Sequence, residues 1–395
     1  MRKYAGASFG LPTPTGPHAV GSYRTKATSQ GSTPDAPEVA IFYPAEPASD
    51  CTPPPYLFPA TERAFLGDAP ELFGAAPPAP DSLAPADAPA PAENPAAAPL
   101  SFTAPASAPY PSADSPFASA PMAADPILQA RQILEGLDGI VHACEGATPL
   151  PGQHAAVLLL PGLAGFAESL TTIAQELASR DIIAIAVQAD FANEGMLAES
   201  PGGFEGNIDT LVDDRVAAVN AVLAAISSGA LAPKVGSIAA SKVAVGGHSF
   251  GGQVALDVAR TDRRVAAAIS LDGGVSPRTR GTTLSKPILW VSAGPAAVQL
   301  RELRGRWLAS PGLVALNMPA AVHDDVTDFP ALTCVVPEAA SLFANGPDAR
   351  STVVTAQLVA RFSEEMVAMG GGAIARGLPL IEPIKAATLQ EYASE

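Results

Sequence analysis

Short, uniformly apolar runs alternating with longer amphipathic stretches organise most of the chain. Ala155–Leu160, Ile182–Gln188 and the runs opening at Val243, Val265, Ile288 and Leu313 are too short for core helices and too continuously apolar for half-exposed strands. They read as buried strands. Between them, Ile127–Leu137, Phe166–Ser179, Asn207–Ile226 and Ser351–Met369 read as helices, as does the segment after Ser249. In Asn207–Ile226 the inward face carries Leu211, Val212, Val216, Val219, Val222 and Leu223 at helical spacing. Strands alternating with helices predict an α/β fold, a mostly parallel central sheet covered by helices on both faces. Nearer the start, Val39–Pro44 reads as an early strand paired with the segment around Ala19–Arg24, and Trp290 reads as core.

Two stretches break this rhythm. Residues 56–74 carry Tyr56, Leu57, Phe58, Phe65, Leu66, Leu72 and Phe73 among scattered charges. Core packing is the favoured reading, with a lipid-facing or pocket-gating flap as the alternative. From Ala75 to Asp125 the chain is dominated by Ala and Pro, a density that breaks helix and strand alike. It reads as a disordered or polyproline-like insertion without a catalytic part, with a loose lid suggested by Phe102, Tyr110 and Phe117 as the second reading. The expected division is therefore 8–74 for N-terminal strands and flap, 75–125 for the insertion and 126–395 for the main α/β domain.

With 395 residues, 48% of them hydrophobic, the chain can bury one large core. A net charge of −16 argues against nucleic acid as a partner, and against docking on anionic membranes by charge alone. No apolar run approaches the roughly 20 residues needed to span a bilayer. Cys51, Cys144 and Cys334 are an odd, scattered set with neither metal-ligand spacing nor a disulfide framework, so a reducing, cytoplasmic compartment is expected. Met1–Ala5 lacks the apolar core of a secretory signal. The first acidic residue is Asp35, after a Ser/Thr-rich stretch with basic residues, which makes a plastid address the alternative.

The chemistry starts at Gly247-His248-Ser249-Phe250-Gly251, where a Val-rich strand passes at once into a helix. Gly-x-Ser-x-Gly in that setting lifts a serine above the sheet, beside free N–H groups at a helix start. A glycine-rich strand–helix turn with Ser249 as an N-cap is the bland rival, so the partners decide. A serine needs a base. Of His18, His142, His154, His248 and His323, only His323 follows Ser249, just past a late strand. His248 adjoins the serine but is turned away from it, a packing or pocket-wall residue, and the three earlier histidines read as structural. Asp272, at the carboxyl end of the strand Val265–Leu271, has the address of the acid that orients His323. Its rivals Asp324, Asp325 and Asp328 sit too near His323 in sequence to reach back to the ring. The oxyanion donors would be the N–H of Phe250 and that of Leu163 or Ala164, in the loop Pro161–Gly165.

These residues together resemble the platelet-activating-factor acetylhydrolases, the lipoprotein-associated phospholipase A2 group of α/β-hydrolases. Leu11-Pro12 with Thr15-Gly16-Pro17 and Val20-Gly21 looks like the family's opening segment. Pro161-Gly162-Leu163, Leu177-Ala178-Ser179 and Ala184–Val187 are similar to its oxyanion strand, loop and helix. Gly247–Gly252 continuing to Leu271-Asp272, and Val322-His323 followed by Asp328-Phe329, resemble its nucleophile, acid and histidine regions. Pro161 departs from the family's His-Gly-Leu, which keeps the backbone donor and bears on the loop's shape. The resemblance implies the α/β-hydrolase fold, no cofactor and no metal. It also implies a serine hydrolase that removes short or oxidised sn-2 acyl chains from phospholipids, a lipid or other hydrophobic ester as partner, and peripheral membrane contact near residues 56–74. Plant chlorophyllases share the Gly-His-Ser-x-Gly-Gly elbow, so hydrolysis of a phytyl ester is the nearest rival. Acyl transfer to an alcohol and a non-catalytic receptor are the others. Oligomeric state, acyl preference and alcohol preference are not readable from the chain.

Overall fold

The computed structural model describes residues 10–28, 36–74, 126–188, 191–200, 203–276, 278, 284–294, 312–337, 339, 349–365 and 382–383. The chain enters the sheet with β1 (Ala19–Lys26), which pairs antiparallel with β2 (Glu38–Ala45), and β3 (Cys144–Glu145) adds parallel to β1. The centre is parallel throughout: β4 (Gln153–Leu160), β5 (Ile182–Val187), β6 (Ser237–His248), β7 (Val265–Leu271), β8 (Ile288–Ala293) and β9 (Leu313–Met318). The two-residue β10 (Glu382–Pro383) closes one edge, antiparallel to β9. The order is β10-β9-β8-β7-β6-β4-β5-β2-β1-β3, with β2 antiparallel to β5.

Period-two burial divides the interior into two cores. Val157 and Leu159 of β4, with Ala184 and Ala186 of β5, enter one; Ala156, Leu158 and Leu160, with Ile183 and Ile185, enter the other. Both faces are buried, which is why these strands read as unbroken apolar runs. The first core is covered by α1 (Pro59–Gly74), α2 (Pro126–Gly136) and α3 (Thr171–Ser179). The second core lies under α5 (Gly203–Ser227), which follows α4 (Phe191–Glu199). After the single turn α6 (Ala232–Val235), α7 (Phe250–Thr261) covers the second face and α8 (Phe329–Val335) and α9 (Arg350–Glu364) the first.

Several elements differ from expectation for physical reasons. The helix expected from Phe166 is a 3-10 turn over Ala167–Leu170 followed by α3, because the buried Asp328 carboxylate accepts the Thr172 N–H and caps a new start. Phe65 and Leu66 of α1 pack on the core beside the buried Tyr56 and Phe58, so this part of the 56–74 series is core. The side chains of Leu72 and Phe73, the insertion 75–125 and its lid residues Phe102, Tyr110 and Phe117 lie outside the described residues. The opening segment is pinned to α3: Glu176 accepts the Thr15 N–H and hydroxyl, both at 2.7 Å. A Cβ on Gly16 would stand 2.2 Å from the Ser179 carbonyl oxygen, so only glycine permits this docking.

The cysteine reading is corrected. Cys51 and Cys144 form a disulfide. They are 93 residues apart, and spacing gave no hint because the bond depends on β3 lying beside β1. The segment after β2 also folds back, with the Glu145 N–H donating to the Thr52 carbonyl at 2.9 Å. Such bonds persist in oxidising compartments, so the cysteines no longer argue for a reducing one. Replacing both cysteines by serine is expected to remove about 2–5 kcal/mol of stability. Thermal melts with and without reductant test this: wild type should lose Tm on reduction and the variant should not, and insensitivity of both would contradict the bond.

Candidate active site

β6 ends at His248 and α7 begins at Phe250, so Ser249 alone makes the turn, with φ 53° and ψ −120°. A non-glycine residue held there costs on the order of 1–3 kcal/mol and needs its surroundings to fix it. Part of the fixing is a hydrogen bond from the Ser249 N–H to the last carbonyl of β7, Leu271, at 2.9 Å. The rest is backbone crowding. A Cβ on Gly247 would lie 2.4 Å from the Leu160 oxygen, and one on Gly251 2.3 Å from the same atom and 2.5 Å from the Pro161 oxygen. Both glycines are thus required by the approach of β4 and its following loop. The Ser249 hydroxyl is left at the start of α7, where the Phe250 N–H is one of the helix's unpaired donors.

Asp272 follows β7 in a positive-φ turn, at φ 48°. Its N–H donates to Val291 O at 2.7 Å, and its Oδ1 accepts the Ala293 N–H at 2.8 Å, which fixes the carboxylate against β8. Oδ2 then takes the Nδ1–H of His323 at 2.6 Å. The carboxylate therefore selects the tautomer with Nε2 unprotonated. Burial by itself would lower the His323 pKa, but the bond and charge of Asp272, helped by Asp324, outweigh it and raise the pKa. The three rival acids are placed otherwise. Asp325 accepts the Val322 N–H, Asp328 caps α3, and Asp324 lies 3.8 Å from His248. Asp272 and His323 are thus brought together. Among the described residues no hydrogen bond joins the Ser249 hydroxyl to His323.

His248 has a part that its sequence position did not reveal. Burial, and then the neighbouring His323 charge, push its pKa down to about 3, so the ring is neutral. Its Nε2–H donates to the His323 carbonyl at 3.0 Å, with ring centroids 4.6 Å apart. The elbow thereby holds the backbone of the histidine loop. His248, His323 and Asp324 offer metal-ligand atoms within 4.8 Å of one another. One nitrogen of each ring is already committed, to Asp272 and to the His323 carbonyl. His142 and His154 are structural, bonded to the Leu11 carbonyl and to Asp181.

The loop Pro161–Gly165 turns tightly, with Gly165 N–H donating to Gly162 O at 3.1 Å and Ala164 at φ 52°. Of the two amides left open as oxyanion donors, that of Ala164 is taken by Glu194 Oε2 at 2.9 Å. Leu163 remains. Glu194, on α4, is paired with Arg215 of α5, and Arg215 also donates to Pro161 O at 2.8 Å and Gly162 O at 2.7 Å. Both side chains are almost wholly buried, 5% and 3% exposed. The sequence carried one signal for Arg215: it falls on the apolar stripe of its helix, four residues after Leu211 and four before Val219. α4 itself, short and weakly amphipathic, gave none.

Asp328 explains the acid in the Val-His-x-x-x-x-Asp-Phe stretch. It is fully buried, accepts the Thr172 N–H and the Tyr56 hydroxyl, and ties the histidine loop to α3 and to the segment before α1. Burial, against these hydrogen bonds, pushes its pKa up to about 7.

The profile of the Alpha/beta hydrolase family matches residues 157–382, more than half of the chain. No curated relative matches by sequence. Among solved structures, a ferulic acid esterase from Streptomyces cinnamoneus is similar in fold, with TM-score 0.61 over 95% of this chain and 99% of that one, at 22% identity. The narrower likeness to the platelet-activating-factor acetylhydrolases does not emerge from these comparisons. What the profile covers is the stretch from β4 to β10 that carries elbow, acid and histidine, and the chain belongs to the alpha/beta hydrolase family.

Proposed function

We propose that the protein is a serine hydrolase of carboxylic esters working through an acyl-enzyme. The observation that carries this reading is the 2.6 Å bond from His323 to Asp272, at the carboxyl end of the sheet that also ends in the strained Ser249 elbow. Ser249 Oγ adds to the ester carbonyl carbon while His323 Nε2 takes its proton. Asp272 holds the ring and stabilises the imidazolium. The oxyanion of the tetrahedral intermediate accepts the N–H groups of Phe250 and Leu163. As that intermediate collapses, His323 passes the proton to the alcohol, which leaves Ser249 acylated. Water, deprotonated by the same ring, adds to the acyl carbonyl, and as the resulting intermediate collapses His323 returns the proton to Ser249 Oγ, which leaves and releases the acid.

The finer reading is a phospholipid with a short or oxidised sn-2 chain. It is supported by the Thr15-Gly16-Pro17 docking on α3 and by the buried Asp328, which give structural parts to two motifs of the resemblance. A second reading, an ester of ferulic acid, draws on the fold shared with the ferulic acid esterase across nearly the whole of both chains. A rate panel separates them: wild type and Ser249→Ala on phosphatidylcholines with acetyl, oxidised and long sn-2 chains, on methyl ferulate and on chlorophyll a. Ser249-dependent release confined to short or oxidised chains is expected. Release from methyl ferulate or chlorophyll alone moves the substrate and keeps the chemistry, and silence on every ester overturns the hydrolase reading.

The pH dependence follows from His323. The ring works as a base only when neutral, and its pKa is raised above the ordinary 6.5. Activity is therefore lost as pH falls through that raised value, and kcat/KM should show an acidic limb with an apparent pKa above 6.5. Asp272→Asn should lower the rate by about 10⁴-fold, the cost of the equivalent change in a serine protease triad. It should also move the limb to lower pH. A wild-type limb at or below 6.5 would contradict this account of the ring.

A further inference from the structure

We propose that Arg215, clamped by Glu194, is the positioning residue of the oxyanion hole: it sets the direction of the Leu163 N–H and polarises it. The proposal rests on the serine-hydrolase reading and extends it to a pair outside the triad. The argument lies in the peptide planes. A trans peptide directs its C=O and N–H to opposite sides. The Gly162 carbonyl and the Leu163 N–H belong to one such plane, and Arg215 Nη2 holds that carbonyl at 2.7 Å. Anchoring the oxygen on the α5 side aims the Leu163 N–H away from it. The next plane is held from its other end, since Glu194 takes the Ala164 N–H at 2.9 Å. Leu163 is therefore bracketed by one ion pair, its two flanking peptides fixed in orientation.

The same guanidinium also lies over the ring of Phe250, the residue that carries the other donor. Arg215 Cζ lies 5.5 Å from the Phe250 ring centroid, and Phe250 packs edge-on against Phe204 of the same helix, with centroids 5.6 Å apart. One side chain thus touches the Leu163 peptide and the Phe250 ring. Only arginine can do this. Nε and Nη2 engage Glu194 while Nη1 and Nη2 engage the two loop carbonyls, a planar fork that a lysine ammonium cannot reproduce. A cation on the Gly162 oxygen also strengthens the N–H across the same amide, at a depth where the field is poorly screened. Burying an ion pair is not by itself evidence of stabilisation. What marks this one is that three of its bonds end on the backbone of the oxyanion loop.

The test uses the full chain, Arg215→Lys and the double variant Arg215→Met/Glu194→Gln. The double variant leaves no unpaired buried charge, and glutamine can still accept the Ala164 N–H. Arg278→Met, which removes a bridge from the segment after β7 to Asp209 and Asp213 on the exposed side of α5, serves as control. On p-nitrophenyl acetate, kcat should fall by about 10²-fold, the scale of losing one oxyanion donor, with KM changed less than about threefold. The affinity of a methyl trifluoromethyl ketone, which adds to Ser249 as a tetrahedral mimic, should fall in parallel. Labelling of Ser249 by a fluorophosphonate should slow by a similar factor, which gives a readout even if the natural ester differs. A purely structural role would lower Tm without this split of kcat from KM. Wild-type kcat and wild-type ketone affinity in a folded double variant would overturn the proposal and leave the esterase reading standing. If the double variant does not fold, undiminished kcat in Arg215→Lys would overturn it equally. Failure of the wild type both to hydrolyse and to label would overturn the two readings together.

Discussion

Two backbones meet in this protein at a point where one of them can carry no side chain. The carbonyls of Leu160 and Pro161, at the end of β4, press on Gly247 and Gly251 so closely that a single methyl group at either position would collide with them. That approach compresses the strand–helix junction until one residue, Ser249, spans it. It also brings the oxyanion loop, which continues from Leu160, against the N-terminus of α7. Ser249 and the proposed oxyanion loop are placed by the same contact. The acid arrives by the neighbouring one, since Leu271 accepts the Ser249 N–H and Asp272 is the next residue.

Around this contact the charged groups divide the work. Asp272 is fixed by the backbone of β8 before it touches His323, so the ring is oriented by a carboxylate that has no freedom of its own. His248 holds the histidine loop from the elbow, and Asp328 ties that loop to α3. On the other side Arg215 and Glu194 hold the oxyanion loop. Each catalytic segment is tied by a buried polar group from an element distant in sequence, which is how loops at the end of a sheet acquire fixed geometry.

Much of this was legible in the chain because it is local. The strands announced themselves by unbroken apolar runs, and the elbow by five consecutive residues. Asp272 and His323 were readable because one directly follows a strand and the other lies in the loop after a late strand, in an order this fold imposes. What stayed hidden depends on pairs far apart. The Cys51–Cys144 bond needs two edge segments to meet across the stretch 75–125, and no spacing rule reports that. α4 has too little periodicity to be seen, and with it went Glu194. Arg215 left a trace, a charge on an apolar stripe, but its meaning appears only once its partner is placed. The break before α3 is likewise set by Asp328, 156 residues from Thr172.

The central claim is that ester cleavage passes through covalent attachment to Ser249. Rapid quenching of the wild-type protein during turnover of an activated aryl ester, followed by mass spectrometry of its peptides, tests this directly. The account predicts one acyl group, on the peptide containing Ser249, and none in Ser249→Ala. Steady product release with that peptide unmodified, or an acyl group carried by another residue, would contradict it.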